Sequence, residues 1–129
     1  MKKVYNFEKL EIWQVARKLA NQIYDIIDAN SFKRDFSFRD QLKRSAISSM
    51  SNIADGFMRG SNKEFIQFLF IARSSTGETK SHLYLAIDRK YINIEQFDSC
   101  EDIINELLNK INAFIKYLSN TDNRGIKFK

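Results

Sequence analysis

The sequence predicts an all-α protein, specifically an up-down antiparallel four-helix bundle. Three observations carry that reading. The 129 residues include no proline and only 4 glycines, so few helix breakers interrupt the chain. Apolar residues recur at three- and four-residue steps through four stretches, the spacing that gathers them on one helix face. Short polar breaks separate these stretches, and long helices joined by short connections must run antiparallel to their neighbours.

The first stretch runs from about Glu8 to Asp28, with Trp13, Ala16, Leu19, Ala20, Ile23, Ile26 and Ile27 on one face, and the polar run Asn30 to Asp35 ends it. A second helix is expected to start at Ser37, a helix-capping residue type with Asp40 three positions on. It continues through Leu42, Ala46, Ser49, Ile53 and Phe57, and Gly56 and Gly60 bring it to a stop. Ser61 with Glu64 forms a capping-box pattern that opens the third helix. Phe65, Phe68, Leu69, Ala72, Thr76, Leu83 and Ala86 line its inner face, and it ends near Arg89 and Lys90. Asn93 with Gln96 marks the fourth start. There Phe97, Cys100, Ile104, Leu107, Ile111, Phe114 and Leu118 alternate strictly by three and four, the narrow seam of coiled-coil-like packing. Residues 1–119 then form one domain, and 120–129 read as a loose basic tail.

A hydrophobic content of 43% with 11 Phe supplies a core without help from a metal or a disulfide. A chain of this length buries roughly two-thirds of its unfolded surface. The single cysteine, Cys100, cannot bridge within the chain and fits a reducing compartment. Met1 to Tyr5 lead straight into charged residues, without the apolar stretch of a signal peptide. The densest apolar run, Phe65 to Ala72, is too short to span a bilayer. The expected location is the cytoplasm, with no membrane partner.

The net charge of +5 favours polyanionic partners in general, and its distribution says more. Residues 31–94 hold 11 Lys and Arg against 6 Asp and Glu, whereas residues 95–120 hold 2 against 5. The basic character belongs to the middle of the chain.

Catalytic chemistry finds no constellation. His82, the lone histidine, and Cys100 sit in different segments without partners for a metal or a nucleophile. No metal or other cofactor is expected. Glu64 and Glu78 share a helix face, but fourteen residues of helix separate them by about 21 Å, too far for paired-carboxylate work. The segment Gly56 to Gly60 lacks the Lys-Ser/Thr ending of a phosphate-binding loop. No enzyme is expected.

The apolar residues exceed what one core uses. Ile47, Met50, Ala54 and Met58 widen the second helix's stripe beyond the usual ~100°. Ile66, Phe70 and Tyr84 form a second stripe on the third helix, with Gly77 one heptad from both Phe70 and Tyr84. Glycine there costs roughly 1 kcal/mol of helix propensity, which a close approach by another backbone would explain. Either a loop or the C-terminal tail covers these stripes, or copies of the chain pack on them. The candidate self-association residues are Ile47, Met50, Met58, Ile66, Phe70, Gly77 and Tyr84.

A polar stripe of Gln41, Arg44, Ser45, Ser48, Asn52, Asp55 and Arg59 also runs along the second helix. Its small hydroxyl residues let another surface come close, and arginine suits phosphate. Equally, Asp40 with Arg44 and Asp55 with Arg59 stand four apart and would neutralise each other on a solvated face. Lys43, Lys63, Arg73, Arg89 and Lys90 lack such an acid and are the better phosphate candidates.

Here the residues resemble a family. Gln41 to Ser48, Asn52 to Gly56, Arg59, Ser61, Glu64-Phe65, Phe68-Leu69, Ile71 to Ser75 and Glu78 look like the four-helix-bundle proteins encoded in 23S rRNA intervening sequences. The accessory variability determinant protein of diversity-generating retroelements is a related member. The likeness spans nearly the whole chain, including Leu10-x-x-Trp13 and Lys90-Tyr91-Ile92. It implies a homopentameric barrel of bundles with a basic surface suited to nucleic acid, and in the retroelement branch binding to RNA and a reverse transcriptase. By position, Lys43, Arg44, Arg59 and Arg73 fall on basic sites of the motif, and Asn52 and Glu78 on polar sites that order helix contacts. The chain departs in Asp55 for the usual Glu, Ser74 for Gly and Thr79 for Leu, changes that bear on packing between subunits.

The leading expectation is a cytoplasmic homo-oligomer, a pentamer, that binds RNA phosphates through Lys43, Arg44, Arg59, Lys63, Arg73, Arg89 and Lys90. The alternative is an oligomeric adaptor that recognises a partner protein through the apolar stripes, with charge serving solubility alone.

Overall fold

Four helices dominate the computed structural model, which describes residues 6–29 and 31–121: α1 (Glu11–Ala29), α2 (Phe36–Met58), α3 (Asn62–Asp88) and α4 (Ile94–Asn120). Each packs on its neighbour in sequence, and α4 closes the ring against α1, leaving α1/α3 and α2/α4 on the diagonals. Cross-helix contacts fix the antiparallel order. Gln22 reaches Ser99 at 3.1 Å, Lys110 reaches Glu11 at 3.2 Å, and Thr79 reaches Ser45 at 2.8 Å. One end of the bundle therefore holds the α2–α3 turn at Gly60. The other holds Asp35 and the α3–α4 turn.

The expected inner faces form the observed core, except that Phe68 is only partly buried, with Arg59 over its ring. Leu19, Ile23, Leu42, Ile53, Leu69, Leu83, Ile104, Leu107, Ile111 and Leu118 are fully buried. Trp13 and Phe114 are partly buried and pack against this core.

Several boundaries move. Phe7–Lys9 form a 3-10 turn and Leu10 is extended, so α1 starts at Glu11, not near Glu8. Helix α2 starts before Ser37: Asp35 is its N-cap, accepting from the Phe38 N–H at 3.2 Å. A carboxylate is the stronger acceptor for an orphan N–H and also favours the helix N-terminus. Gly56 lies inside α2, and the break falls at Gly60, whose φ of 92° suits glycine. Ser61 caps α3 through the Glu64 N–H at 3.1 Å, and Asn93 and Gln96 form a reciprocal capping box on α4. The expected tail narrows, because α4 continues to Asn120; residues 122–129, like Asn30, lie outside the described residues.

The closest helix pair is α2–α3. The hydroxyls of Ser49 and Thr76 meet at 3.0 Å, Thr79 donates to Ser45, and the hydroxyls of Ser48 and Ser75 lie 2.8 Å apart at the edge. Ser45, Ser49, Ser75, Thr76 and Thr79 are buried. The small hydroxyl residues expected to admit another surface therefore admit α3 of the same chain. Gly56 belongs to the same contact: a Cβ there would lie 2.6 Å from the Phe68 Cβ and 2.8 Å from the Phe65 ring.

Candidate functional site

The seven candidate cations do not converge on one patch. Lys63 and Arg89 stand at opposite ends of α3, about 39 Å apart at 1.5 Å per residue. Arg59 and Lys63 flank the Gly60 turn, Arg89 and Lys90 cap the far end, Arg73 sits midway, and Lys43 and Arg44 lie on α2. They are spread along α2 and α3 and the turns at both ends of α3, with Lys43 toward α1 and Arg73 toward α4.

Their surroundings divide them further. Lys43 places its ammonium 4.8 Å over the Tyr24 ring. Arg73 donates to Asn112 at 2.9 Å and lies 4.8 Å over Phe70. Arg59 turns to Glu64 at 4.0 Å and covers the Phe68 ring, so the pairing expected with Asp55 is replaced by one across the turn. Arg44 makes no ion pair with Asp40 among the described residues. Arg44, Lys63 and Lys90 are exposed and hold no protein partner among the described residues. They are the cations readiest for an external phosphate, since no internal contact must break first.

Helix α4 carries the opposite sign. Glu95, Asp98, Asp102 and Glu106 are exposed at spacings that share one face. Helix α2 lies diagonal to these carboxylates, whereas α3, which carries Lys63 and Arg73, packs directly against α4.

The apolar candidates also separate. Ile47, Met58, Phe70 and Tyr84 are 37%, 66%, 42% and 51% exposed. Met50 and Ile66 are partly buried and pack against the chain's own core. Gly77 is exposed, and a Cβ built on it would meet nothing within 4 Å. Among the described residues no backbone accounts for the glycine. Sequence reasoning missed Ile71, Leu85, Phe36 and Ile94, all exposed. Ile71 and Leu85 stand beside Phe70 and Tyr84 at the same fourteen-residue spacing, a periodicity that would have found them. The C-terminal tail invoked as a possible cover lies outside the described residues.

The remaining polar candidates have local roles. Glu64 accepts from the Ser61 hydroxyl at 3.3 Å. Glu78 stands 3.4 Å from His82 Nε2. Asn52 donates to the Ser48 carbonyl at 2.9 Å and its hydroxyl at 3.0 Å. Thr79, the departure from leucine, is buried and bonded to Ser45. Burial pushes the Cys100 thiol up to about 12, far from a reactive thiolate. Among the described residues no three His, Cys, Asp or Glu side chains gather as metal ligands, and no helix is long and apolar enough to cross a membrane.

Known proteins fit this architecture. A crystal structure of a protein of unknown function from the S23 ribosomal protein family of Bacteroides thetaiotaomicron superposes with a TM-score of 0.75 at 26% identity, covering 81% of this chain and 98% of that one. No curated protein matches the chain. The 23S rRNA-intervening sequence protein family matches residues 8–113. With four antiparallel helices and a match over most of its length, the chain belongs to the 23S rRNA-intervening sequence protein family.

Proposed function

We propose that the protein is a non-enzymatic, cytoplasmic homo-oligomer, a pentamer, that binds RNA through backbone phosphates at exposed cations along α2 and α3. The observation that carries this reading is a set of exposed, unpaired cations on α2, on α3 and at the end of α3. Arg44, Lys63 and Lys90 stand free of partners among the described residues, with Arg44 on the helix diagonal to acidic α4. A polyanion meets these cations attractively and the exposed α4 carboxylates repulsively, and counterion release supplies the affinity. The family's association with 23S rRNA intervening sequences supports RNA as the polyanion.

Self-association rests on the outward apolar side chains. Ile47, Met58, Phe70, Ile71 and Tyr84 present more greasy surface than a solitary bundle needs. Gly77 and Ser74, exposed on the same face of α3, leave room for a neighbouring helix.

The test is a salt titration of RNA binding with the Arg44→Glu, Lys63→Glu, Lys90→Glu triple variant, whose substitutions break no internal contact. The wild-type affinity should fall steeply with salt, and the variant's log–log slope should be shallower by about 0.7 per lost contact on single-stranded RNA, with subunit number unchanged. Equal affinity and slope for the two proteins would reject the RNA reading. It would then favour the alternative, a protein-binding adaptor that uses Phe70, Ile71, Tyr84 and Leu85.

A further inference from the structure

A cleft opens at the Asp35 end, between the first turn of α2 and the last turns of α3. Asp35, Ser37, Phe38, Gln41, His82, Leu85, Arg89 and Tyr91 line it, and its volume is about 530 Å³, within the range of small-ligand sites. Two helix faces form its sides. Ser37, Phe38 and Gln41 lie one turn apart on α2; His82, Leu85 and Arg89 share a face over about 10 Å of α3.

The chemistry of the lining is selective. Asp35 accepts the Phe38 N–H on Oδ1 and the Tyr91 hydroxyl on Oδ2 at 2.7 Å, so each oxygen already holds one donor, with one lone pair on each still open. Arg89 is the only cationic side chain in the lining, and it has no ion pair among the described residues. Gln41 and Ser37 keep their side-chain donors and acceptors unused among the described residues. His82 Nε2 is shielded from water and unbonded, with the Glu78 carboxylate 3.4 Å away but out of hydrogen-bond geometry. Leu85 and the edge of Phe38 supply apolar wall.

We propose that this cleft binds a single nucleotide, with Arg89 and Ser37 on the phosphate, Leu85 and Phe38 against the base, and Gln41 on its polar edge. An anion alone would use Arg89 and leave the apolar wall and the amide idle. An uncharged ring would leave the guanidinium with only the Tyr91 hydroxyl beside it. A nucleotide joins a phosphate to a flat ring with a hydrogen-bonding rim, and so meets all three kinds of group at once. The same unit is supplied by a free nucleotide or by an unstacked residue of an RNA strand. Of the basic residues assigned to phosphates above, the cleft uses Arg89 alone, so it goes beyond a diffuse basic surface.

The experiment titrates the full-length protein with each of the four ribonucleoside 5′-monophosphates and with inorganic phosphate, following amide shifts by NMR. At least one nucleotide should shift the Gln41 and Arg89 signals and bind more tightly than phosphate. Arg89→Ala, an exposed position, should weaken it about tenfold, as loss of a charge-assisted contact does. Gln41→Ala should change the ranking among the four bases. Lys63→Ala, at the opposite end, should change nothing. Binding by none of the four, phosphate binding as tightly as any nucleotide, or indifference to both Arg89→Ala and Gln41→Ala would each overturn the assignment. Displacement of the nucleotide by single-stranded RNA identifies a strand as the source, and failure to displace it identifies a free nucleotide; either supports the site. Lys63→Glu, at the opposite end of the bundle, should weaken RNA binding and leave the nucleotide bound normally, so failure of the phosphate-surface reading and failure of this one are told apart.

Discussion

Tyr91 donates its hydroxyl to Asp35 at 2.7 Å, and through that bond the α3–α4 turn is tied to the start of α2. Asp35 also caps α2, so one carboxylate serves two connections at the same end of the bundle. The donated hydrogen bond is the chief reason the Tyr91 pKa lies above 10.0, aided by burial and the Asp35 charge and opposed by Arg89. A pKa raised in the folded state means the protonated form is the one stabilised. The contribution is complete below pH 10 and disappears as pH climbs through the raised value. Tyr91→Phe should therefore unfold at lower urea than wild type at neutral pH, and the gap should close above pH 10. A gap that stays constant across that range would show that the bond contributes nothing to the pH dependence.

The two helical glycines should respond in opposite directions. Gly56→Ala places a methyl group into Phe68 and Phe65, and overpacking of this kind costs about 1–3 kcal/mol. Gly77→Ala meets open space and should stabilise the isolated subunit by about 0.5–1 kcal/mol through helix propensity. Urea unfolding of dilute protein reads both. Destabilisation by Gly77→Ala under those conditions would mean that the chain itself fills the space beside it.

Lys90 ends α3 in the left-handed region, with φ of 61°. Its N–H bonds the Ile87 carbonyl at 2.9 Å while the Tyr91 N–H reaches Ala86 at 2.8 Å, the paired bonds of a Schellman ending that glycine usually fills. A side chain in that conformation costs roughly 1 kcal/mol. Lys90→Gly should accordingly raise stability by about that amount and at the same time weaken RNA binding through the lost charge. A variant that binds RNA as wild type does would remove Lys90 from the phosphate set.

Cys100 should be inert in the folded protein. Its thiol is fully buried, and burial pushes its pKa from 9.0 to about 12. At neutral pH, labelling by a thiol reagent should proceed only as fast as the bundle opens, and denaturant should speed it sharply. Fast labelling without denaturant would contradict the packing of the α4 seam.

Much of the fold was legible because periodicity reports burial directly. Leu42, Ile53, Leu69 and Ile104 fall inside as the three- and four-residue steps require. The Ser61 and Asn93 caps were readable because a polar side chain three residues before Glu64 or Gln96 has few other local uses. Asp35 was missed because a carboxylate in a charged run reads as solvated surface until Tyr91, 56 residues away, is brought beside it. The hydroxyls of Ser45 and Ser49 were misplaced for a related reason. Sequence gives their polarity, but only the fold supplies Thr79 and Thr76 as partners. The charge candidates were legible as charges and not as a site, because helix length scatters Lys63 and Arg89 to opposite ends.

The central claim is that copies of this bundle assemble and the assembly takes up RNA on its exposed cations. Light scattering after gel filtration, run with and without single-stranded RNA at low salt, tests it most directly. The account predicts a particle of five times the 15.2 kDa chain mass, gaining mass with RNA and losing that gain as salt rises. A 15.2 kDa particle that stays unchanged when RNA is added would contradict it.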